Sequence, residues 1–188
     1  MNRYLKRFVV LGAIATSASA HEIASNRATL VLRDGQHLSL TFFVDYPSVL
    51  HQVLAPQRPL KEFVLMHAAM KPQEFQSHLL DAQRKLQSAI GMKLHNGKSA
   101  ALTQWAWPQA KAVQVVLQQR AMQSVVAPAD HAHEAQMQIR AQASSSNKSD
   151  FTTVTLQLPL QFQQMLVVSY QPKQVWIKPG AASPAIEF

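Results

Sequence analysis

A stretch of nine residues in the C-terminal third constrains the fold more than any other part of the sequence. Between residues 135 and 143 the odd positions are apolar, and the even positions carry Gln, Gln, Arg and Gln. Successive side chains of a strand point to opposite faces, so a strict two-residue period is typical of a strand buried on one side only. The sequence therefore predicts a sheet with one face toward a core.

Two hairpins are predicted from turn residues that separate extended runs. Residues 28–33 and 38–44 flank the Asp-Gly pair at 34–35, and residues 92–102 contain a second such arrangement around the Asn-Gly pair at 96–97. Both pairs suit type I′ turns, which require positive φ angles. The runs on either side of each turn are expected to pair antiparallel.

Further strands are predicted along the rest of the chain. The alternation of Val113, Val115 and Leu117 favours a strand within residues 110–126, although the Gln and Ala content there would tolerate a helix. Other extended segments are expected at residues 105–107, 154–160, 166–170 and 175–177. Many short strands separated by turns are typical of an immunoglobulin-like antiparallel β-sandwich, so the fold is predicted to be mainly β.

One α-helix is predicted from about residue 72 to residue 90. Pro72 suits the first helical turn, and Gly91 follows the last one. Apolar residues recur between them at helical spacing, namely Phe75, Leu79, Leu86 and Ile90. The helix is expected to be an insertion that covers an edge or an end of the sandwich.

The first twenty residues have the pattern of an export signal. A basic start precedes an apolar run at 8–15, and Ala-Ser-Ala at 18–20 is the small-x-small pattern after which a signal peptidase cuts. We expect residues 1–20 to be removed and residues 21–188 to form a single, soluble, periplasmic or secreted domain. No later apolar run reaches the roughly 18 residues of a membrane helix, so no transmembrane segment is expected in the mature chain.

Composition narrows the classes of partner and site. The chain has no cysteine, which excludes thiolate metal ligands and a lipid-modified cysteine anchor. The formal net charge of the whole chain is +8, and loss of the three cations in the signal leaves a modest positive charge spread along the chain. Because no Lys/Arg run forms a basic patch, we expect no nucleic-acid partner.

Histidine carries the candidate chemistry. Cleavage after residue 20 would leave His21 first, with a free α-amine beside its imidazole. His131 and His133 lie within Asp-His-Ala-His-Glu at 130–134, and residues two apart in an extended segment share a face. An amine nitrogen and imidazole nitrogens form a tetragonal set that suits Cu(II), which also leads the divalent affinity order. His21, His131 and His133 are therefore the predicted metal ligands, and copper is the predicted cofactor.

Competing interpretations apply to each of these residues. His21 is also explained as a simple chain end, and residues 130–134 as a solvated loop in which carboxylates pair with histidines. His51 and His67 could each be recruited as a further ligand. Tryptophan and phenylalanine side chains could line a groove, although such aromatics more often anchor a core; they are Trp105, Trp107, Trp176, Phe42 and Phe162.

The chain resembles two groups of exported proteins. His-Glu-Ile at 21–23, Gly-Gln-His-Leu-Ser-Leu at 35–40 and Leu-His-Asn-Gly at 94–97 resemble the exported N-terminal modules of hydrogenase/urease accessory (HupE/UreJ-like) membrane proteins, although no membrane helices follow here. That resemblance covers about the first half of the chain and implies an accessory module. The combination of a signal, His21 and a β-sandwich is similar to the histidine-brace copper proteins, which include carriers and monooxygenases.

Three hypotheses for function follow from these observations. The first is a non-catalytic periplasmic binding protein that carries or stores copper through His21. The second is an interaction module that docks on an envelope membrane protein, with the histidines incidental. The third is an oxidative copper enzyme. The sequence contains no HExxH, GxSxG or glycine-rich phosphate motif, and no catalytic residue is predicted.

Overall fold

The computed structural model describes residues 26–126 and 136–172. The predicted export signal, the three predicted metal ligands and the strand expected at 175–177 lie outside these residues. The described part contains four helices: α1 (Tyr46–Leu54), α2 (Leu60–Ala68), α3 (Pro72–Ala89) and α4 (Ala110–Val126). It also contains seven strands: β1 (Arg27–Arg33), β2 (His37–Asp45), β3 (Gly91–Leu94), β4 (Thr103–Ala106), β5 (Gln136–Ser144), β6 (Val154–Gln157) and β7 (Leu166–Tyr170).

Five of these strands form one mixed sheet in the order β4-β5-β2-β1-β7. All neighbours in it are antiparallel except β1 and β7, which run parallel. The strands β3 and β6 form a separate antiparallel pair. The long strands β2 and β5 pair with each other over nine residues and form the centre of the sheet.

The predicted first hairpin is confirmed. Its arms are β1 and β2, which pair from Arg27 opposite Phe43 to Arg33 opposite His37. Asp34 and Gly35 have φ angles of 55° and 68°, as the Asp-Gly signal requires.

The second predicted turn is present, but its type differs from the prediction. Gly97 N–H donates to Leu94 O at 2.9 Å, and Leu94 N–H donates to Lys98 O at 2.8 Å. Only Gly97 of the loop has a positive φ, at 78°, so this is a three-residue loop rather than a type I′ turn. The returning arm keeps one bridge, from Ser99 to Lys93, because β3 pairs chiefly with β6.

The core lies between one face of the five-stranded sheet and the helices. The alternation predicted for residues 135–143 is confirmed, since β5 buries Ile139, Ala141 and Ala143 and turns the residues between them outward. The strands β1 and β2 bury alternate residues in the same way. The helices complete the core with side chains that are at most 3% exposed: Val49, Leu50, Phe63, Phe75, Leu79, Leu86, Val113 and Leu117.

The prediction of a sheet of several short strands and of one helix at 72–90 is confirmed, but the five-stranded sheet is mixed rather than antiparallel, and the described residues show no sandwich. The helix expected at 72–90 is α3, and the strands expected near 105–107, 154–160 and 166–170 are β4, a shorter β6 and β7. The described residues are not mainly β, however, because the helices contain more of them than the strands do. The layer that an immunoglobulin-like sandwich would fill with a second large sheet contains helices and the β3–β6 pair.

The strand prediction for residues 110–126 is wrong, and α4 occupies this segment. Val113 and Leu117 are fully buried, whereas Val115 between them is 42% exposed. A spacing of four residues fits a helix as well as a strand, so the alternation was ambiguous.

Helix α4 also supplies hydrogen-bond donors to the C-terminal end of α2. Gln118 Nε2 donates to the backbone carbonyl of Ala68, the last residue of α2, at 3.2 Å. Gln114 Nε2 donates likewise to the carbonyl of Met70 at 2.8 Å.

The segment between β2 and α3 forms the two short helices α1 and α2. Asp45 caps α1 by accepting hydrogen bonds from the backbone N–H and the hydroxyl of Ser48. Pro47 lies in the first turn, where its missing N–H has no cost. Helix α2 follows Pro59 directly.

Candidate functional site

The predicted ligands His21, His131 and His133 all lie outside the described residues. The described sheet contains the two strands that follow these segments along the chain. The segment with His21 leads into β1, and the segment with His131 and His133 leads into β5.

The sheet register brings these two points to the same end of the sheet. Arg27 pairs with Phe43 from one side, and Gln138 pairs with Phe43 from the other. Both β1 and β5 are antiparallel to β2, so both begin at this end. Two neighbouring strand spacings separate them by about 10 Å.

This separation is within reach of the chain that bears the histidines. His21 lies five residues before Asn26, and His133 lies three residues before Gln136. An extended residue spans at most about 3.3–3.6 Å, so the two segments reach about 17 Å and 10 Å. At full extension, the summed reach of the two segments exceeds the strand separation.

A polar cluster fixes this end of the sheet, and we call Asn26, Asp45, Ser48 and Arg120 the sheet-end cluster. Asp45 ends β2 and receives a bidentate ion pair from Arg120, with Nη2 at 2.7 Å from Oδ1 and Nη1 at 3.2 Å from Oδ2. The two side chains are only 17% and 14% exposed. Charge-assisted bidentate pairs of this kind hold a fixed geometry.

Asn26 joins the start of β1 to the same cluster. Its Oδ1 accepts from Asp45 N–H at 3.1 Å, and its Nδ2 donates to Phe162 O at 2.7 Å. Leu166 N–H donates to the backbone carbonyl of Asn26 at 2.9 Å, which joins β7 to the same point. The Asp45 carboxylate is occupied by Arg120 and Ser48, so its role here is to position strands rather than to ligate a metal.

Local sequence patterns did not predict the sheet-end cluster. Asp45 and Arg120 are 75 residues apart, and neither belongs to a motif. The Asp-x-x-Ser spacing at 45–48 is the one local signal, and it indicates a helix cap rather than an ion pair.

The helices bring His67 near His78, and they pack His51 against the same Phe63 ring that His67 contacts. The His67 ring lies 4.0 Å from the Phe63 ring and 5.8 Å from the His78 ring, measured between centroids. His67 Nδ1–H donates to Phe63 O at 2.9 Å, and His51 Nε2–H donates to Arg58 O at 2.6 Å. His51 and His67 are 7% and 4% exposed.

Burial is the main electrostatic influence on His67. It lowers the pKa of the imidazole below its ordinary value, and the nearby His78 and Arg58 act in the same direction. The hydrogen bond to Phe63 O and the carboxylate of Glu74 oppose this shift without reversing it. His67 is therefore a neutral, packed histidine near neutral pH.

The helical histidines do not form a metal site. Within residues 26–126 and 136–172, no group of three or more His, Cys, Asp or Glu side chains is arranged to hold a metal ion. A ring N–H of His51 donates to Arg58 O, and a ring N–H of His67 donates to Phe63 O. Each buried imidazole thus has the hydrogen-bond partner that a buried polar group requires. The hypothesis that either one is a further ligand gains no support from these contacts.

The aromatic residues divide into core and surface. Phe42 and Phe162 are fully buried and lie 5.6 Å apart in the core. Trp105 and Trp107 are half-buried and stack at 5.4 Å with an interplanar angle of 15°. Trp105 borders an open cleft of about 350 Å³ beside α3, and Trp176 lies outside the described residues.

Comparisons with known proteins identify no relative. No protein-family model matches the chain, and searches of curated proteins and of solved structures also find no match. Within the described part of the chain, no helix combines the length and the apolar character needed to cross a membrane. A functional proposal must therefore rest on the residues and the register of this chain.

Proposed function

We propose that the protein is an exported periplasmic binding protein that holds Cu(II) through its mature N-terminal His21 and an imidazole of His131 or His133. Carriage or storage of the ion is the proposed role. The observation that supports this proposal is the register at Phe43, where the strands that follow the two histidine segments begin at the same end of the sheet, on either side of β2.

The ligand set suits the chemistry of copper. A terminal amine, the ring of His21 and one further imidazole would supply three neutral nitrogen donors, which favour a tetragonal Cu(II) centre. Asp130 or Glu134 would orient a ligating ring by accepting its second N–H. The sheet-end cluster supports this arrangement, because it fixes the strand that follows His21 and the helix that precedes His131.

The test is a Cu(II) titration of protein whose first residue is verified as His21. We expect tight binding of one equivalent, with the visible and electron paramagnetic resonance spectra of nitrogen-ligated Cu(II). A variant with one glycine ahead of His21 moves the amine away from the ring and should lose most of the affinity. Unchanged affinity in this variant would refute the proposed site.

Histidine variants separate the second ligand from background binding. His131→Ala and His133→Ala should each be compared with His95→Ala, a matched control on the exposed hairpin loop after β3. We expect at least one of the first two to weaken binding and the control to leave it unchanged. Equal affinities in all three variants would exclude His131 and His133 as ligands.

Two outcomes would favour the other hypotheses. Failure to bind Cu(II) at micromolar concentration would favour the interaction module, and recovery of an envelope membrane protein with the purified chain would be its test. Hydrogen peroxide production by the copper-loaded protein with a reductant, in the absence of free copper, would favour the oxidative enzyme.

A further inference from the structure

The edge strand β7 exposes apolar side chains on both of its faces. Leu166, Val167, Val168 and Tyr170 are between 40% and 52% exposed, and Ser169 between them is exposed as well. The strand carries no charge, whereas β1, β2 and β5 each contain at least one charged residue. Such a strand is a template for pairing with another strand.

The opposite edge of the sheet is protected in the usual way, and β7 is not. Strand β4 has four residues, a register shift against β5 and a positive φ of 50° at Gln104, all of which disfavour further pairing. Strand β7 keeps a regular register with β1 over five residues. In the part of the chain that the structure describes, no strand pairs with its outer edge.

The pairing of β7 with β1 determines which backbone N–H and C=O groups of β7 point toward its outer edge. Leu166 N–H donates to Asn26 O on the β1 side. Backbone groups of successive residues in a strand point to alternate sides, so Val168 also turns its groups toward β1. Val167 and Ser169 therefore direct their N–H and C=O groups toward the outer edge, where no described strand pairs with them.

We propose that β7 pairs antiparallel with β7 of a second copy of this chain, around a two-fold axis beside Val168. This register places Val167 opposite Ser169 of the partner subunit, and Ser169 opposite the partner's Val167. Each of these two pairs exchanges two N–H···O=C bonds, which uses the open backbone groups of both strands. The result is one continuous ten-stranded sheet with an isologous interface.

The side chains are self-complementary in this register. On the outer face Val168 meets Val168 of the partner subunit, and Leu166 meets the partner's Tyr170, so every pair is apolar. No charge opposes a like charge, which matters for a chain of net charge +8.

The inner face of the same edge also suits this partner. A groove of about 370 Å³ opens beside Ser169 and is lined by apolar residues of the neighbouring strands, including Leu30, Leu32 and Leu38. The proposed register places the partner's Val167 next to Ser169, at the mouth of this groove. A second copy would therefore cover apolar surface on both faces of the edge.

The test compares the oligomeric state of the purified wild type with that of two variants, which carry a positive or a negative charge in place of Val168. Sedimentation equilibrium should give twice the chain mass for the wild type. Val168→Lys and Val168→Glu, which place like charges at the two-fold axis, should each give the monomer mass. An equimolar mixture of the two variants should recover the dimer, because Lys then faces Glu. Leu80→Lys on α3, where Leu80 is 49% exposed, is the matched control and should remain dimeric.

Two results would overturn the proposal. A wild type that stays monomeric at all concentrations would do so, and so would a Val168→Lys variant that stays dimeric. If the wild type is monomeric, protection of the Val167 and Ser169 amides from hydrogen exchange would show that the chain itself covers the edge. Circular dichroism of the two charge variants serves as the folding control.

Discussion

At the scale of single residues, Asp45 has the most structural consequences in the described part of the chain. It ends β2, caps α1 through Ser48 and accepts the ion pair from Arg120, and its backbone N–H donates to Asn26 Oδ1 at the start of β1. The Asp45 carboxylate thus joins the end of β2 to α1 and α4, and its backbone N–H joins the start of β1 to the same point. Because it is only 14% exposed, the loss of its cationic partner leaves a negative charge with little solvation.

We predict that Arg120→Met lowers the free energy of unfolding by about 2–3 kcal/mol, because it leaves the buried Asp45 carboxylate without a cationic partner. Urea denaturation followed by circular dichroism measures this change. Arg84→Met is the matched control, because it removes an ion pair with Asp81 whose members are 78% and 51% exposed. That substitution should change the stability by less than about 0.5 kcal/mol. Equal losses in the two variants would contradict the structural role of Asp45.

His67 makes the stability depend on pH. Its pKa is lowered by burial, so below its ordinary value near 6.5 the unfolded chain binds this proton more readily than the folded chain does. The contribution of neutral His67 is complete above about pH 6.5 and is lost as the pH falls through the lowered pKa, by at most about 1.4 kcal/mol per pH unit. We therefore predict that the protein loses stability as the pH falls below about 6.5.

The measurement is the unfolding free energy at several pH values for the wild type and for His67→Asn, which cannot titrate. The variant should lose part of the acid sensitivity of the wild type. His95→Asn, at an exposed loop position, should retain all of it. The same slope in His67→Asn as in the wild type would assign the acid sensitivity to other groups.

At the scale of elements, two valines of α4 distinguish a helix from a strand. In a strand Val113 and Val115 would share a face, but in α4 Val113 is fully buried and Val115 is 42% exposed. We predict that Val113→Ala costs about 2 kcal/mol of stability. Val115→Ala should change it by less than about 0.5 kcal/mol, since alanine favours a helix and little burial is lost. Equal costs measured by urea denaturation would restore the strand interpretation.

Elements with strong local signals were predictable from the sequence. The hairpin around Asp34 and Gly35, the helix after Pro72 and strand β5 each contain a period or a turn that admits few alternatives. Segments with ambiguous periods were not predictable. Val113 and Leu117 fit two periods, and α2 begins after Pro59 without a side-chain cap, so its start does not differ from that of a loop in the sequence.

Contacts between residues far apart in the sequence could not be predicted from local sequence patterns. The parallel pairing of β1 with β7 joins Arg27 to Leu166. The ion pair of Asp45 with Arg120 likewise has no local signature. The candidate ligands could be selected by residue type, because a terminal amine beside an imidazole is chemically distinctive. Whether their segments lie close together is a property of the sheet register alone.

At the scale of the whole molecule, one hydrophobic core joins the described sheets and helices. We predict a single cooperative unfolding transition, because no described element has a separate core. Far-ultraviolet circular dichroism reports the helices, and tryptophan fluorescence reports the surroundings of Trp105 in β4, of Trp107 directly after it and of Trp176. The two urea midpoints should coincide. A fluorescence transition that comes earlier both in the wild type and in Trp176→Phe would indicate that the β4 region unfolds as a separate unit.

The proposed copper site has its own consequence at this scale. An ion held between His21 and an imidazole of residues 131–133 would link the chain before β1 to the chain before β5. A ligand that binds only the folded chain stabilises it by about 2.7 kcal/mol at a free concentration of 100 times its dissociation constant. We predict a stability gain of this size with Cu(II), measured by urea denaturation at fixed free Cu(II). The variant with a glycine ahead of His21 should lose the gain and keep the metal-free stability. An equal gain in both proteins would show that copper binds elsewhere, since the register at Phe43 is the same in both.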